Sequence, residues 1–376
     1  MVKPELNEIK KQFTPRTCSV NRICGCYVDG EKNIKTTFSE SFLNLPEEET
    51  FKYFEIFRKS LSGSLGKNAL NMEFPMKAEE DGGTQEFLMR LRESKLKDDA
   101  LLNQFYDMVI NYFDYVGNYL ILIINDVYDV PNKTSDDIIN DDASDTVYDY
   151  MICAICPVNL SKPGLSYDAE AQEFHNRIRD WVVELPEVSF LFPAFNDRAS
   201  DIHSLMYYVK DSEELYTAFL DGVLGCVPSL TAKSQKTAFQ TIIEETLGED
   251  ANFETVQSIH ENLTELEVEH KNKEIAEPLT LNKHEMKNIF EKSGVENEKL
   301  QIFDKIYEAC TGEEDAELYA VNLHPGKAFE VKNPDITIKV NPERTDLIET
   351  KIIDGKKCIV IEINDNVEIN GVEVRI

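Results

Sequence analysis

Hydrophobic and polar positions change period several times along the chain, and each change marks an element. Val20, Ile23, Tyr27 and Val28 precede Asp29-Gly30, and Ile34, Thr36, Thr37 and Phe38 follow it, which predicts a β-hairpin over 18–38. Pro46 followed by Glu47, Glu48 and Glu49 opens a helix, because proline is pre-set for the first turn and acids suit the positive end of the helix dipole. Phe51, Phe54, Phe57 (or Tyr53) and Leu61 give that helix an aromatic face, and Gly63 ends it. Further helices are expected over 84–94 and 98–116, the second carrying Leu101, Leu102, Phe105, Val109, Tyr112, Phe113 and Val116 before Gly117. The apolar run 119–124 reads as a buried strand with 147–158 as its partner, and β character returns at 188–192 and 205–209.

From residue 212 the pattern is helical. Thr231 is placed to cap a helix through Leu247, with Gly248 as its stop, and a longer polar helix follows over 252–274. Pro278 breaks the chain before two short helices at 282–293 and 296–310. Strands are expected at 335–340, 348–353 and 358–363, the last two joined by Asp354-Gly355-Lys356. The fold class is α+β, with an N-terminal mixed sheet and packed helices over 1–210, a helical region over 211–312 and a small β-rich unit over 313–376. No internal repeat or low-complexity tract interrupts it.

Composition narrows the function classes. The 376 residues are 42% hydrophobic and 29% charged, a globular make-up, and 39 Lys+Arg against 70 Asp+Glu give a formal net charge of −31. Such acidity argues against bulk coating of nucleic acid or an anionic membrane, because both need cations. The first eleven residues hold no apolar signal segment, and the run at 119–124 falls far short of the ~20 residues of a spanning helix. Eight cysteines are too few for a disulfide scaffold of this length, so a cytosolic protein with free thiols is expected.

The candidate chemistry is sparse. Cys24 and Cys26, with Cys153 and Cys156, offer four thiols, but strand residues three apart point to opposite faces, so buried structural cysteine is the better reading. Asp136, Asp137, Asp141, Asp142, Asp145 and Asp149 form an acidic stretch without the spacing or glycine of an EF-hand loop. Gly63-Ser64-Leu65-Gly66-Lys67-Asn68 lacks the first glycine and the Ser/Thr of a phosphate loop, and His284-Glu285-Met286-Lys287-Asn288 ends in Asn where a zinc helix needs a second His. No G-x-S-x-G elbow is present, and His175, His203, His260, His270, His284 and His324 are dispersed. Neither a metal nor a cofactor is expected. The basic clusters are Arg90, Arg92, Lys95 and Lys97, and Lys233 with Lys236 at a helix start, where free N–H groups already favour an anion.

Two runs, RICGCYVDGEKNI at 22–34 and FLFPAFNDRASDI at 190–202, resemble a bacterial family described only as a domain of unknown function, across the whole chain. That resemblance implies no activity. The segment LGCVPSLTAKSQ at 224–235, with Lys233, Gln235 and Lys236 opening a helix, is similar to the pattern of bacterial nucleoid-associated proteins. This second resemblance implies a cytosolic, nucleoid-located protein binding DNA or a DNA-handling protein. The expected function is therefore non-catalytic binding of a protein partner or local contact with DNA, and no membrane. The alternatives are a metal-dependent enzyme or metalloprotein of unknown reaction, and a structural homo-oligomer.

Overall fold

The computed structural model describes residues 1–376 except 134–138, 141–145, 227–229, 249–250, 313–315, 324–327, 364–366, 370–371 and 375–376. Five of the six aspartates of the acidic stretch, all but Asp149, and also His324 lie outside the described residues. The chain divides into two compact units, Met1–Thr231 and Ala232–Ile376.

The first unit is built on an eight-stranded sheet. Its strands are β1 (Arg22–Val28), β2 (Ile34–Ser41), β3 (Ala69–Glu73), β4 (Asn118–Val130), β5 (Thr146–Leu160), β8 (Trp181–Val183), β9 (Val188–Phe192) and β10 (Ser204–Val209), while β6 (Leu165–Asp168) and β7 (Glu173–Asn176) pair only with each other. The order is β2-β1-β4-β5-β9-β10-β3, with β8 added to β5. The sheet expected to be mixed is antiparallel in every ladder, because hairpins join β1 to β2 and β4 to β5 and the remaining neighbours also run in opposite directions.

Four helices of the unit are α1 (Lys3–Lys10), α2 (Glu47–Ser60), α3 (Thr84–Glu93) and α4 (Asp99–Tyr112). They cover both faces of the sheet, which explains why β4 is an unbroken apolar run. Ile121 and Ile123 pack with Phe87, Leu91, Phe105 and Val109 of α3 and α4, while Leu122 and Ile124 pack with Ile9 of α1 and Phe54 and Phe57 of α2. Residues 211–226, read above with the helical middle, belong to the first unit, where Leu215, Phe219, Val223 and Leu224 are buried in the α3–α4 side of the core.

The local signals read from sequence hold where they were strong. The Asp29 carboxylate closes the first hairpin by accepting from the Glu31 and Asn33 amides at 3.0 and 2.9 Å. Gly25 stands opposite Phe38, and a Cβ there would lie 2.3 Å from the Phe38 ring, so only glycine admits this close cover. Asp98 caps α4 through the Ala100 amide at 2.9 Å. Besides β6, β7 and β8, the elements α1 and β3 escape the reading. The first offers only Leu6 and Ile9 as buried apolar positions, and the second is five residues long with two polar ones.

The second unit contains α5 (Ala232–Leu247), α6 (Phe253–Asn272), α7 (Lys283–Lys292) and α8 (Asn297–Thr311), followed by two-stranded pairs. Phe239, Ile242, Ile259, Leu263, Phe290 and Phe303 are fully buried within it. Asn252 caps α6, and Asn282 with Glu285 forms a capping box on α7. The hairpin of Ile348–Ile353 with Lys356–Ile361 turns on Asp354 and Gly355, whose φ angles of 50° and 75° match the left-handed pair that a two-residue turn requires. Among the described residues no helix is long and apolar enough to cross a membrane.

Candidate functional site

The sequence-nominated residues fall in both units. Arg90, Arg92, Lys95 and Lys97 belong to the first unit, and Lys233, Gln235 and Lys236 to the second. Arg90 pairs with Glu86 one helical turn away at 2.9 Å, and Lys95 pairs with Asp149, so one member of the basic cluster is held by one of the acidic stretch. Arg92 is half-buried, Lys97 exposed. Lys233 is exposed, while Gln235 is buried, and its carboxamide oxygen accepts from the Tyr319 amide at 2.9 Å and from Asn322 at 3.1 Å. That glutamine fastens α5 to the 318–323 segment within its unit. Leu224 and Gly225 of the same motif are structural too: Gly225 has φ 71°, and a Cβ on it would lie 1.9 Å from Thr84 Oγ1.

The cysteines divide as strand geometry demands. Cys24, Cys26 and Cys153 face the α3–α4 side of the sheet and Cys156 the α1–α2 side. Cys24 and Cys153 are both level with Ile123 of the strand between them, hence roughly 9.6 Å apart across two strand spacings, beyond disulfide reach. Burial raises every one of these thiols, Cys26 to about 11 and Cys153 well above its ordinary value, so they remain protonated and inert near neutrality. Among the described residues no group of three or more His, Cys, Asp or Glu side chains is placed to hold a metal ion. Glu285 of the zinc-helix fragment caps its own helix, and Lys287 pairs with Asp304 at 3.0 Å.

The most buried carboxylate, Asp126, sits on β4 directly across from Tyr150 on β5. Its oxygens accept from Tyr150 Oη at 2.8 Å, Ser19 Oγ at 2.7 Å and the Val127 amide at 2.9 Å. Burial lifts its pKa above the ordinary carboxylate value, and these hydrogen bonds partly oppose the rise. Tyr150 stacks on Tyr148 at 4.8 Å, and Tyr148 Oη donates to the Pro193 carbonyl at 2.6 Å. The cluster pins the sheet centre to the segment before β1, and its acceptors are already engaged.

A different kind of surface lies at the other end of β4 and β5. β4 begins at Asn118, opposite Val158, and past that point β5 pairs with β8 alone. The ribbon continues through the Ser161 amide bonded to the Asp180 carbonyl and the Arg177 amide bonded to that of Gly164, then into β6 and β7. Fully extended, the eight residues from 161 to 168 span at most roughly 26 Å. In β6 and β7 the cross-strand pairs Leu165↔Asn176 and Tyr167↔Phe174 share one face, while Ser166↔His175 and Asp168↔Glu173 share the other. The apolar face is bare: Leu165 is 76% exposed, Tyr167 56% and Phe174 71%, with the two rings 5.2 Å apart.

At the root of this arm is a groove of about 830 Å³ between α2 and β8, lined by Tyr53, Ile56, Leu120, Trp181, Val182 and Leu185. Trp181 is the chain's single tryptophan and is 56% exposed. Glu49, Lys52, Glu55, Glu184 and Lys210 form the groove's charged rim. Burial would lower Lys210, but its 3.2 Å bond to Glu187 outweighs this and holds the ammonium above its usual value. A mainly apolar trough with a mixed-charge rim suits contact with another protein. Sequence reasoning missed this surface because apolar alternation normally reports burial; the signal was there in Leu165, Tyr167 and Phe174, which alternate with Ser166, Asp168 and Glu173.

No curated protein matches the chain, and no solved structure does. The similarity of 224–235 to nucleoid-associated proteins finds no counterpart in these comparisons, and of its residues Leu224, Gly225 and Gln235 are held in packing or hydrogen bonds. The family model described as Domain of unknown function (DUF4317) matches residues 1–372, and the chain belongs to that family.

Proposed function

We propose that this is a non-catalytic binding protein whose β-arm and root groove hold a protein partner. The observation that supports the reading is the bare apolar face of β6 and β7, because an isolated two-stranded ribbon is marginal in water and gains stability when its apolar side is covered. Local DNA contact draws less support. Arg90 and Lys95 are engaged with Glu86 and Asp149, Gln235 is buried, and the net charge of −31 opposes polyanions.

The test places a photoreactive phenylalanine analogue at position 174 in the intact chain and illuminates living cells. A discrete protein adduct is expected from position 174 and not from position 175, which lies on the arm's polar face. Absence of any adduct, or identical adducts from both faces, would sink the reading. A salt-titrated DNA-binding measurement on wild type and Lys233→Glu/Lys236→Glu settles the nucleic-acid version: the account expects no binding by either, and binding that the double substitution abolishes would reinstate DNA.

A further inference from the structure

We infer that the root groove takes a lysine- or arginine-bearing segment of a basic protein partner, its cation over Trp181 and its apolar flanks against the groove walls. The inference rests on the reading of arm and groove as a contact surface and names the chemistry of the occupant.

The walls supply the first support. In the β5–β8 ladder Trp181 stands level with Leu160 and Val183 with Val158, so both β8 side chains lie on the sheet face that carries Val158 and Leu120. That face is the one α2 covers, and Tyr53 and Ile56 of α2 form the opposite wall. The trough of about 830 Å³ falls within the roughly 300–1,000 Å³ of ligand clefts. Its β8 side is uncovered, with Trp181 56% exposed and Val183 and Leu185 each 39%. Indole is the best aromatic platform for a cation, and the phenol ring of Tyr53 is a second one.

Charge selects the occupant. Glu49, Lys52, Glu55, Glu184 and Lys210 rim the groove. Lys210 is matched by Glu187 at 3.2 Å, so it offers little to an incoming anion. Lys52 stands on α2 three residues from both Glu49 and Glu55, on a helix surface it shares with those carboxylates. Among the described residues Glu49, Glu55 and Glu184 make no ion pair, and set against Lys52 they leave the rim two charges negative. Their field reaches the aromatic wall: burial raises the Tyr53 phenol, and the carboxylates of Glu40 and Glu49 add to the rise. A negative field over an apolar, aromatic trough repels an acidic segment and favours a cationic one. The net charge of −31 steers the same kind of partner from a distance.

Emission of Trp181, the chain's single tryptophan, reads the test directly. The full-length protein is titrated at physiological salt with acetyl-Leu-Arg-Leu-Arg-Leu-amide and with acetyl-Leu-Glu-Leu-Glu-Leu-amide, neither of which fluoresces. The arginine peptide should shift the emission saturably and bind roughly tenfold or more tightly than the glutamate peptide. Glu55→Lys/Glu184→Lys should weaken the arginine peptide roughly tenfold and strengthen the glutamate peptide, with an unchanged thermal melt as the check on folding. No response to either peptide, equal affinity for both, or an arginine peptide that binds the double variant as it binds wild type would overturn the inference. So would arginine-peptide binding seen by calorimetry without any change at Trp181, which would put that binding elsewhere on the acidic surface. A position-174 adduct together with an unselective groove removes the basic occupant and leaves the arm as a contact surface. A selective groove without any adduct removes the arm and keeps the cation site.

Discussion

Asp126 illustrates how single residues are spent in this molecule. A carboxylate only 2% exposed is tolerated because Tyr150, Ser19 and the Val127 amide all donate to it. Asp126→Ala should cost about 3 kcal/mol, measured by urea unfolding, since it strands the buried Tyr150 hydroxyl as well as losing the bonds. The sign of its pH dependence follows from a folded pKa raised by burial. The native state keeps the proton longer than the unfolded chain, so the favourable contribution of Asp126 is complete below its ordinary value of 3.8 and fades as pH rises through the folded value. Asp126→Asn, which keeps an acceptor but no charge, should therefore cost less at pH 7 than at pH 4. Gly225 makes the second residue-level case. Gly225→Ala combines a left-handed backbone with a Cβ that would meet Thr84 Oγ1 at 1.9 Å, and a loss of roughly 2 kcal/mol or more is expected in the same measurement.

At the scale of elements, the arm differs from everything it is attached to. Strands β4, β5, β9 and β10 are buried between helices, whereas β6 and β7 pair only with each other and contribute no residue to either core cluster among the described residues. Replacing residues 162–179 with a short turn should leave the melting temperature and far-ultraviolet circular dichroism essentially unchanged, while removing the position-174 contact. A large drop in melting temperature would mean that the arm is part of the core. The same contrast explains what could be read from the chain. The β1–β2 hairpin, α2, α4, the β4–β5 pair and α5 to α8 follow from local signals that tertiary packing reinforces: Asp29-Gly30, Pro46, Asp98, the apolar run at 119–124, Asn252 and Asn282. β3 is set by its long-range pairing with β10, and α1 by packing on the far face of the sheet, neither of which leaves a periodic trace in so few residues. The candidate site was less legible still. Conspicuous residue types such as paired cysteines draw attention, yet the fold buries those pairs, and a surface made of ordinary leucine, tyrosine and phenylalanine looks like core until its exposure is known.

For the whole molecule, the first unit stores protonated acids in its core. Five cysteines are buried and three are half-buried, and burial raises Cys26 to about 11 and Cys226 to about 12. Unfolded thiols ionise above about pH 9 while these stay neutral in the fold, so the native state binds more protons there and stability must fall as pH rises beyond that point. Denaturant midpoints taken from pH 8 to pH 10.5 should decline accordingly, and a thiol reagent at pH 8 should modify no more than Cys18, Cys310 and Cys358 before unfolding. The single tryptophan, Trp181, lies at the root of the arm and is 56% exposed. The most direct measurement is photocrosslinking in living cells from position 174, on the arm's apolar face. The account predicts a discrete protein adduct from position 174 and none from position 175 on the arm's polar face. No adduct from position 174, or the same adducts from both positions, would contradict it.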